Sequence, residues 1–127
     1  MNEKTNFNIW LFVWVLALLS AGRAAVGVTI YVPADFNSIQ AAIDAAANYG
    51  DEIEVAPGTY NEAINFNDKE VRLYSSGGPD VTTIDANGIG GAYHVVQCVN
   101  DKAPVLEGFT ITGGNANGLV YPDDSGG

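Results

Sequence analysis

Asp51-Glu52-Ile53-Glu54-Val55-Ala56-Pro57-Gly58 and, farther on, Glu70-Val71-Arg72-Leu73-Tyr74-Ser75-Ser76-Gly77-Gly78 decide the fold of this chain. Each alternates apolar with charged or aromatic side chains, the period of a half-buried strand, and each stops at turn residues. The same grammar continues downstream in Ile64 to Phe66, Thr83 to Asp85, Tyr93 to Val99 and Phe109 to Thr112. Between these runs stand Asn67-Asp68, Asn87-Gly88 and Gly113-Gly114-Asn115, all turn formers. No helical period separates them, so helix-crossover units between parallel strands are excluded. A sandwich, a barrel or a β-solenoid remains.

Spacing favours the solenoid. Aligning every second strand puts Ile53, Leu73 and Val95 in one series and Ile64, Ile84 and Leu106 in another, in steps of 20, 22, 20 and 22 residues. Repeat architectures use periods of this size, and each coil then sets its inward Ile, Val or Leu on a like residue of the next. A sandwich would need longer strands joined by hairpins.

Upstream lies one helical pattern, Asp35 to Ala47, with Phe36, Ile39, Ile43 and Ala46 on a single face. Asn37 is its expected N-cap, Gln40 the residue that returns the bond, and Gly50 the left-handed stop. Its stripe is too thin to form a core alone. The expectation is that Ile39 and Ile43 close the first coil as a lid. Thr29-Ile30-Tyr31-Val32, ended by Pro33, reads as a strand before it.

Ile9 to Leu19 is an unbroken apolar run of 11 residues between Lys4 and the small residues around Ser20-Ala21-Gly22. A bilayer span needs about 20. Residues 1–24 therefore read as a secretory signal peptide, with cleavage after Gly22, Ala24 or Gly27, and residues 25–127 as the exported part. No permanent membrane span is expected. The net charge of −10 becomes −11 without Glu3, Lys4 and Arg23, and only Lys69, Arg72 and Lys102 remain as bases. Such a surface excludes nucleic acid as a partner and repels anionic polymers unless a divalent cation intervenes. The single cysteine, Cys98, excludes an internal disulfide framework.

Ser38-Ile39-Gln40-Ala41-Ala42-Ile43-Asp44-Ala45-Ala46, Asp51 through Glu62 with its Pro57-Gly58-Thr59-Tyr60-Asn61-Glu62, Thr83-Ile84-Asp85-Ala86-Asn87-Gly88, and Leu106-Glu107-Gly108-Phe109-Thr110-Ile111-Thr112-Gly113-Gly114 together resemble the N-terminal part of the pectin-lyase-like right-handed parallel β-helix proteins. The resemblance covers essentially the whole exported part. It implies an all-β, right-handed solenoid of which these are the first coils, with an N-terminal amphipathic helix capping the first. It also implies that Gly58 and Tyr60 belong to a structural corner. The superfamily includes secreted pectate lyases and pectinesterases, whose catalytic residues lie on later coils, so no catalytic residue is carried onto this chain.

Several side chains nevertheless carry chemistry. Glu52 and Glu54 project from one strand face roughly 6 to 7 Å apart, a spacing that suits calcium or a glycosidase carboxylate pair and equally an ordinary solvated face. Arg72 and Tyr74 share an outer face with Glu70. They are candidate contacts for a sugar, with a surface ion pair to Glu70 as the plainer role for Arg72. His94 and Cys98 fall on one strand face without a third zinc ligand, which reads as a satisfied His and a small buried Cys. Asp85-Ala86-Asn87-Gly88 lacks the distal Glu of a calcium loop and reads as a turn.

The functional expectation is a secreted β-helix segment of a protein that binds or processes extracellular polysaccharide, with no complete active site, no required cofactor and calcium as an optional one. The alternative is a surface adhesin or structural passenger in which the β-helix is a stiff rod. Beyond Gly113-Gly114 only Leu119-Val120-Tyr121 is apolar before Asp123-Asp124-Ser125-Gly126-Gly127. The chain therefore reads as the front of a longer product whose uncapped C-terminal end favours self-association.

Overall fold

The computed structural model of the protein describes residues 26–90 and 94–115. The signal-peptide segment, the cleavage positions Gly22 and Ala24, Tyr93, and the stretch from Leu119 to Gly127 lie outside the described residues.

The elements run β1 (Thr29–Val32), α1 (Ile39–Ala45), β2 (Tyr49–Val55), β3 (Gly58–Tyr60), β4 (Ile64–Asn65), β5 (Glu70–Ser75), β6 (Thr82–Asp85), β7 (Val96–Gln97), β8 (Val105–Glu107) and β9 (Thr110–Thr112). They form three parallel sheets in the orders β1-β2-β5-β8, β3-β6-β9 and β4-β7. The chain visits these three faces in turn and then starts again one level down. The described residues thus form a parallel β-solenoid of about three turns with a single helix.

Stacked side chains explain why these short strands hold together. Ile30 lies beside Ile53, Ile53 beside Leu73, and Leu73 beside Leu106. Tyr60, Ile84 and Ile111 form a second column and Ile64 and Val96 a third. Ile53, Leu73 and Ile84 are completely buried. Inward residues alternate with outward ones, as the burial of Asp51 to Val55 on β2 shows.

Two features of the expected register are corrected here. Leu73 stacks on Leu106 and not on Val95, and Ile84 stacks on Tyr60 and not on Ile64. One reason is that each coil carries three strands, not the two that aligning every second run assumes: Gly58–Tyr60, read as a corner, is the strand next to β6, and Ile64 belongs to another face. The other is that coil length is not constant. More residues separate Leu73 from Leu106 than Ile53 from Leu73, so the third coil is longer than the second, and Val95 itself packs into the core outside any strand. Equal spacing in sequence was a poor guide to which residue sits below which.

The helix is also shorter than its apolar stripe, at Ile39–Ala45, with Ser38 and not Asn37 as N-cap: the Ser38 hydroxyl accepts from the Ala41 amide at 3.1 Å. Gln40 does not return a capping bond. Its amide reaches instead to the Asn65 backbone, donating to the carbonyl at 3.0 Å and accepting from the N–H at 2.7 Å. The free amides at the helix start are taken by a residue from the next coil. Glu62 accepts from Ile39 N and Gln40 N, each at 2.9 Å. At the other end the Lys69 ammonium donates to the carbonyls of Ile43, Asp44 and Ala46 at 2.8, 2.6 and 2.7 Å. A carboxylate at the amide end and an ammonium at the carbonyl end both match the helix dipole. Ile39, Ala42 and Ile43 are fully buried in the common core. Gly50 stops no helix; it sits at the irregularity in β2 between Tyr49 and Glu52, with φ +88°.

Close approach and turn geometry fix two glycines. A Cβ on Gly27 would fall 1.7 Å from the Gly50 carbonyl oxygen. Gly113 combines φ +81° with an Asp85 Oδ1 that a Cβ would meet at 2.3 Å. The Thr82 hydroxyl is buried with no hydrogen-bond partner among the described residues, a local cost.

Candidate ligand-binding face

Parallel register lays the outward residues of the four-stranded sheet into two ladders. Thr29, Glu52, Arg72 and Val105 form one, and Tyr31, Glu54, Tyr74 and Glu107 the other. Neighbouring rungs are about 4.8 Å apart. All four functional candidates of this region therefore meet on one face.

Arg72 is the hub. Its Nη1 donates to Glu52 Oε1 at 3.2 Å and its Nη2 bonds Glu107 Oε1, while its guanidinium carbon lies 4.2 Å from the centroid of the Tyr74 ring. The expected partner, Glu70, is not used, because Glu70 is registered against Tyr49 at the irregular end of β2, whereas Glu52 stands directly opposite Arg72. The two carboxylates hold the guanidinium proton more firmly than usual, Glu107 first and Glu52 next. Their side chains stay open to water, at 42% exposure for Arg72 and Glu52 and 48% for Glu107. Such pairs add little to stability and serve mainly to orient the groups.

Tyr74 donates its phenol to Glu54 Oε2 at 2.9 Å, and that bond is the main cause of a phenol pKa raised above its ordinary 10.0. Glu52 and Glu54 thus turn toward different partners and do not converge. Two carboxylates fall well short of the six to eight oxygens that calcium takes. Among the described residues no group of three or more His, Cys, Asp or Glu is placed to hold a metal. Tyr31, on the same ladder, is 47% exposed.

The other candidates lie elsewhere. Gly58 and Tyr60 are the two ends of β3, just past the Ala56-Pro57 corner, and the Tyr60 phenol reaches back to donate to the Ala56 carbonyl at 2.9 Å. Burial raises the Tyr60 pKa, with Glu62 adding to the effect. Ile39 and Ile43 lie in the core beneath α1. His94 and Cys98 do not share a strand, since β7 is only Val96–Gln97, and Cys98 is exposed where a buried thiol was expected. Partial desolvation pushes its thiol pKa up. Asp85 to Gly88 is a turn in which the Asn87 amide donates to Asp85 Oδ1 at 2.9 Å.

Three amide bonds that sequence reading did not single out lie on the β4-β7 face and beside it. Asn65 Nδ2 donates to Gln97 Oε1 at 3.1 Å, Asn67 Nδ2 to Asp44 Oδ1 at 2.9 Å and Asn100 Nδ2 to Asp68 Oδ1 at 2.6 Å. The recurrence of Asn and Asp at turn positions was their only signal, and that composition also serves any tight turn.

Among the described residues no helix is long and apolar enough to cross a membrane. Compared with protein-family models, curated proteins and solved structures, the chain matches none of them.

Proposed function

We propose that this chain is a secreted, right-handed β-helix of the pectin-lyase-like kind, that α1 caps its first coil, and that the outer face of the β1-β2-β5-β8 sheet contacts extracellular polysaccharide. The observation that carries the binding reading is the in-register ladder Tyr31-Glu54-Tyr74-Glu107, with Tyr31 exposed and Tyr74 held upright by its bond to Glu54. A tyrosine offers an apolar ring to the C–H face of a sugar and a polar tip to its hydroxyls. The flanking carboxylates accept hydrogen bonds from hydroxyls, and the ladder runs along the solenoid axis as an extended polymer would.

Charge then selects among polymers. Arg72 is already shared by Glu52 and Glu107, so the face presents an acidic surface to its ligand. Neutral or methyl-esterified chains bind ahead of polygalacturonate. Calcium enters this reading only as a bridge for which polymer carboxylates and water complete the shell begun by Glu52 or Glu54.

Affinity electrophoresis of the full chain through gels containing neutral glycan, methylated pectin or polygalacturonate, with and without calcium, tests the reading. Retardation is expected on neutral or esterified polymer, and Tyr31→Ala or Tyr74→Ala is expected to weaken it about tenfold each. Unretarded migration through every gel would refute the binding reading.

A further inference from the structure

Two asparagines of the chain precede a glycine, Asn87-Gly88 and Asn117-Gly118, and only the first pair lies among the described residues. It forms the tip of the turn from Ala86 to Ile89, closed by the Ile89 N–H donating to the Ala86 carbonyl at 3.0 Å. Both residues are exposed. Asp85 Oδ1 holds the backbone N–H of Asn87, yet neither the Asn87 side-chain amide nor the Gly88 backbone N–H has a partner among the described residues. Gly88 adopts φ +79°, and a Cβ there would meet nothing within 4 Å. A backbone nitrogen with no side chain beside it and a carboxamide free to turn toward it are therefore adjacent and open to water. Other asparagines are restrained. Asn65, Asn67 and Asn100 each donate from Nδ2, to Gln97, Asp44 and Asp68, and the backbone N–H after Asn65 is committed to the Gln97 carbonyl at 3.0 Å.

We infer that Asn87 is a site of spontaneous covalent modification, converting in the folded protein to aspartate and isoaspartate. The Gly88 nitrogen bonds to Asn87 Cγ, the Cγ–Nδ2 bond breaks, and the side-chain nitrogen leaves as ammonia with the Gly88 proton. Water then opens the cyclic imide at either carbonyl. One opening restores the ordinary backbone as aspartate; the other routes the backbone through Cβ and Cγ and lengthens it by one carbon. That carbon enters a tight place. The Ala86 N–H donates to the Thr112 carbonyl at 3.0 Å, and Gly113 comes so near that a Cβ on it would fall 2.3 Å from the Asn87 nitrogen. The isoaspartate form therefore loosens the junction of β6 with β9, and either product adds a negative charge beside Asp85.

Peptide mapping by mass spectrometry, with enzymatic isoaspartyl methylation to tell the two products apart, follows the full chain in neutral and alkaline buffer, with Asn117 read in its own peptide. Conversion at Asn87 is expected at a rate close to that of the same site in the guanidinium-unfolded chain, and faster in alkaline buffer because the attacking nitrogen must lose its proton. Asn65, Asn67 and Asn100 should stay amides over that time. Asn87→Gln, whose ring closure needs one more atom, should show no conversion there. In the aged protein the Ala86 N–H should exchange with solvent faster than in Asn87→Gln aged alike. An Asn87 that keeps its amide in the folded chain while converting in guanidinium would overturn the inference, as would equal conversion at Asn65. Unchanged Ala86 exchange in the isoaspartate form would overturn the loosening of the coil.

Discussion

Ile39→Asp combined with Ile43→Asp is expected to abolish cooperative folding. Both side chains have no exposed surface and join the same core cluster as Ile30, Ile53 and Ile64. Burying an isoleucine contributes about 1.5 to 3 kcal/mol. Two of them, with two carboxylates left to be desolvated without partners, amount to about 6 kcal/mol or more, which is comparable with the whole stability of many small domains, about 5 to 15 kcal/mol. Thermal unfolding followed by circular dichroism checks this. The paired control, Ile39→Val with Ile43→Val, should keep a cooperative transition, because each lost methylene costs about 0.5 to 1.5 kcal/mol. A double aspartate variant that melts like the unaltered protein would mean that α1 is not packed on the coil, and the proposed capping role would fall with it.

Glu62→Ala is expected to have the next largest effect. The substitution leaves the Ile39 and Gln40 amides, which donate to the two oxygens of one carboxylate, without their partner. Hydrogen bonds to a charged group are worth about 1.5 to 3 kcal/mol each, and two that share one side chain are not additive, so a loss of about 2 to 4 kcal/mol is expected in chemical denaturation. Glu62→Gln retains one acceptor and should recover part of it. Lys69→Met removes three bonds to helix carbonyls at the opposite end and should be destabilising in the same sense. If Glu62→Ala left the denaturation midpoint where it was, the Glu62 carboxylate would add nothing to holding the helix.

These two expectations also mark where sequence reading stopped. The buried pair Ile39 and Ile43 was visible because helical spacing is local: three and four residues apart puts them on one side whatever surrounds them. The clamp by Glu62 and Lys69 was not, because it joins groups more than twenty residues apart, and the identity of the cap depends on which coil lies beneath. Ser38 and Asn37 are both good caps in isolation. The choice follows from where Glu62 meets the helix.

Strands divide in the same way. Alternation in Glu52-Ile53-Glu54-Val55 and Val71-Arg72-Leu73-Tyr74 reported the inner and outer faces directly, and with them the placement of Glu52, Glu54, Arg72 and Tyr74 on one side. The two-residue strands β4 and β7 were found as apolar runs, Ile64 to Phe66 and Tyr93 to Val99, but carry too little pattern to fix their ends. Gly58-Thr59-Tyr60 read as a corner, yet it continues into the ladder with β6. Register between coils was the weakest inference, since a longer coil costs little in a solenoid and leaves no trace in local periodicity. The step from Ile53 to Leu73 was read correctly and sets Glu52 beside Arg72, whereas Glu107 came into reach only through the misread third coil.

The register of the three faces is the central structural claim, and cross-strand nuclear Overhauser effects in the isotopically labelled full chain test it most directly. Backbone contacts of a parallel ladder should link Ile30 with Ile53, Ile53 with Leu73, and Leu73 with Leu106, and in the second face Ile84 with Ile111. Contacts linking Leu73 with Val95, or antiparallel contacts between β2 and β5, would contradict the solenoid described here.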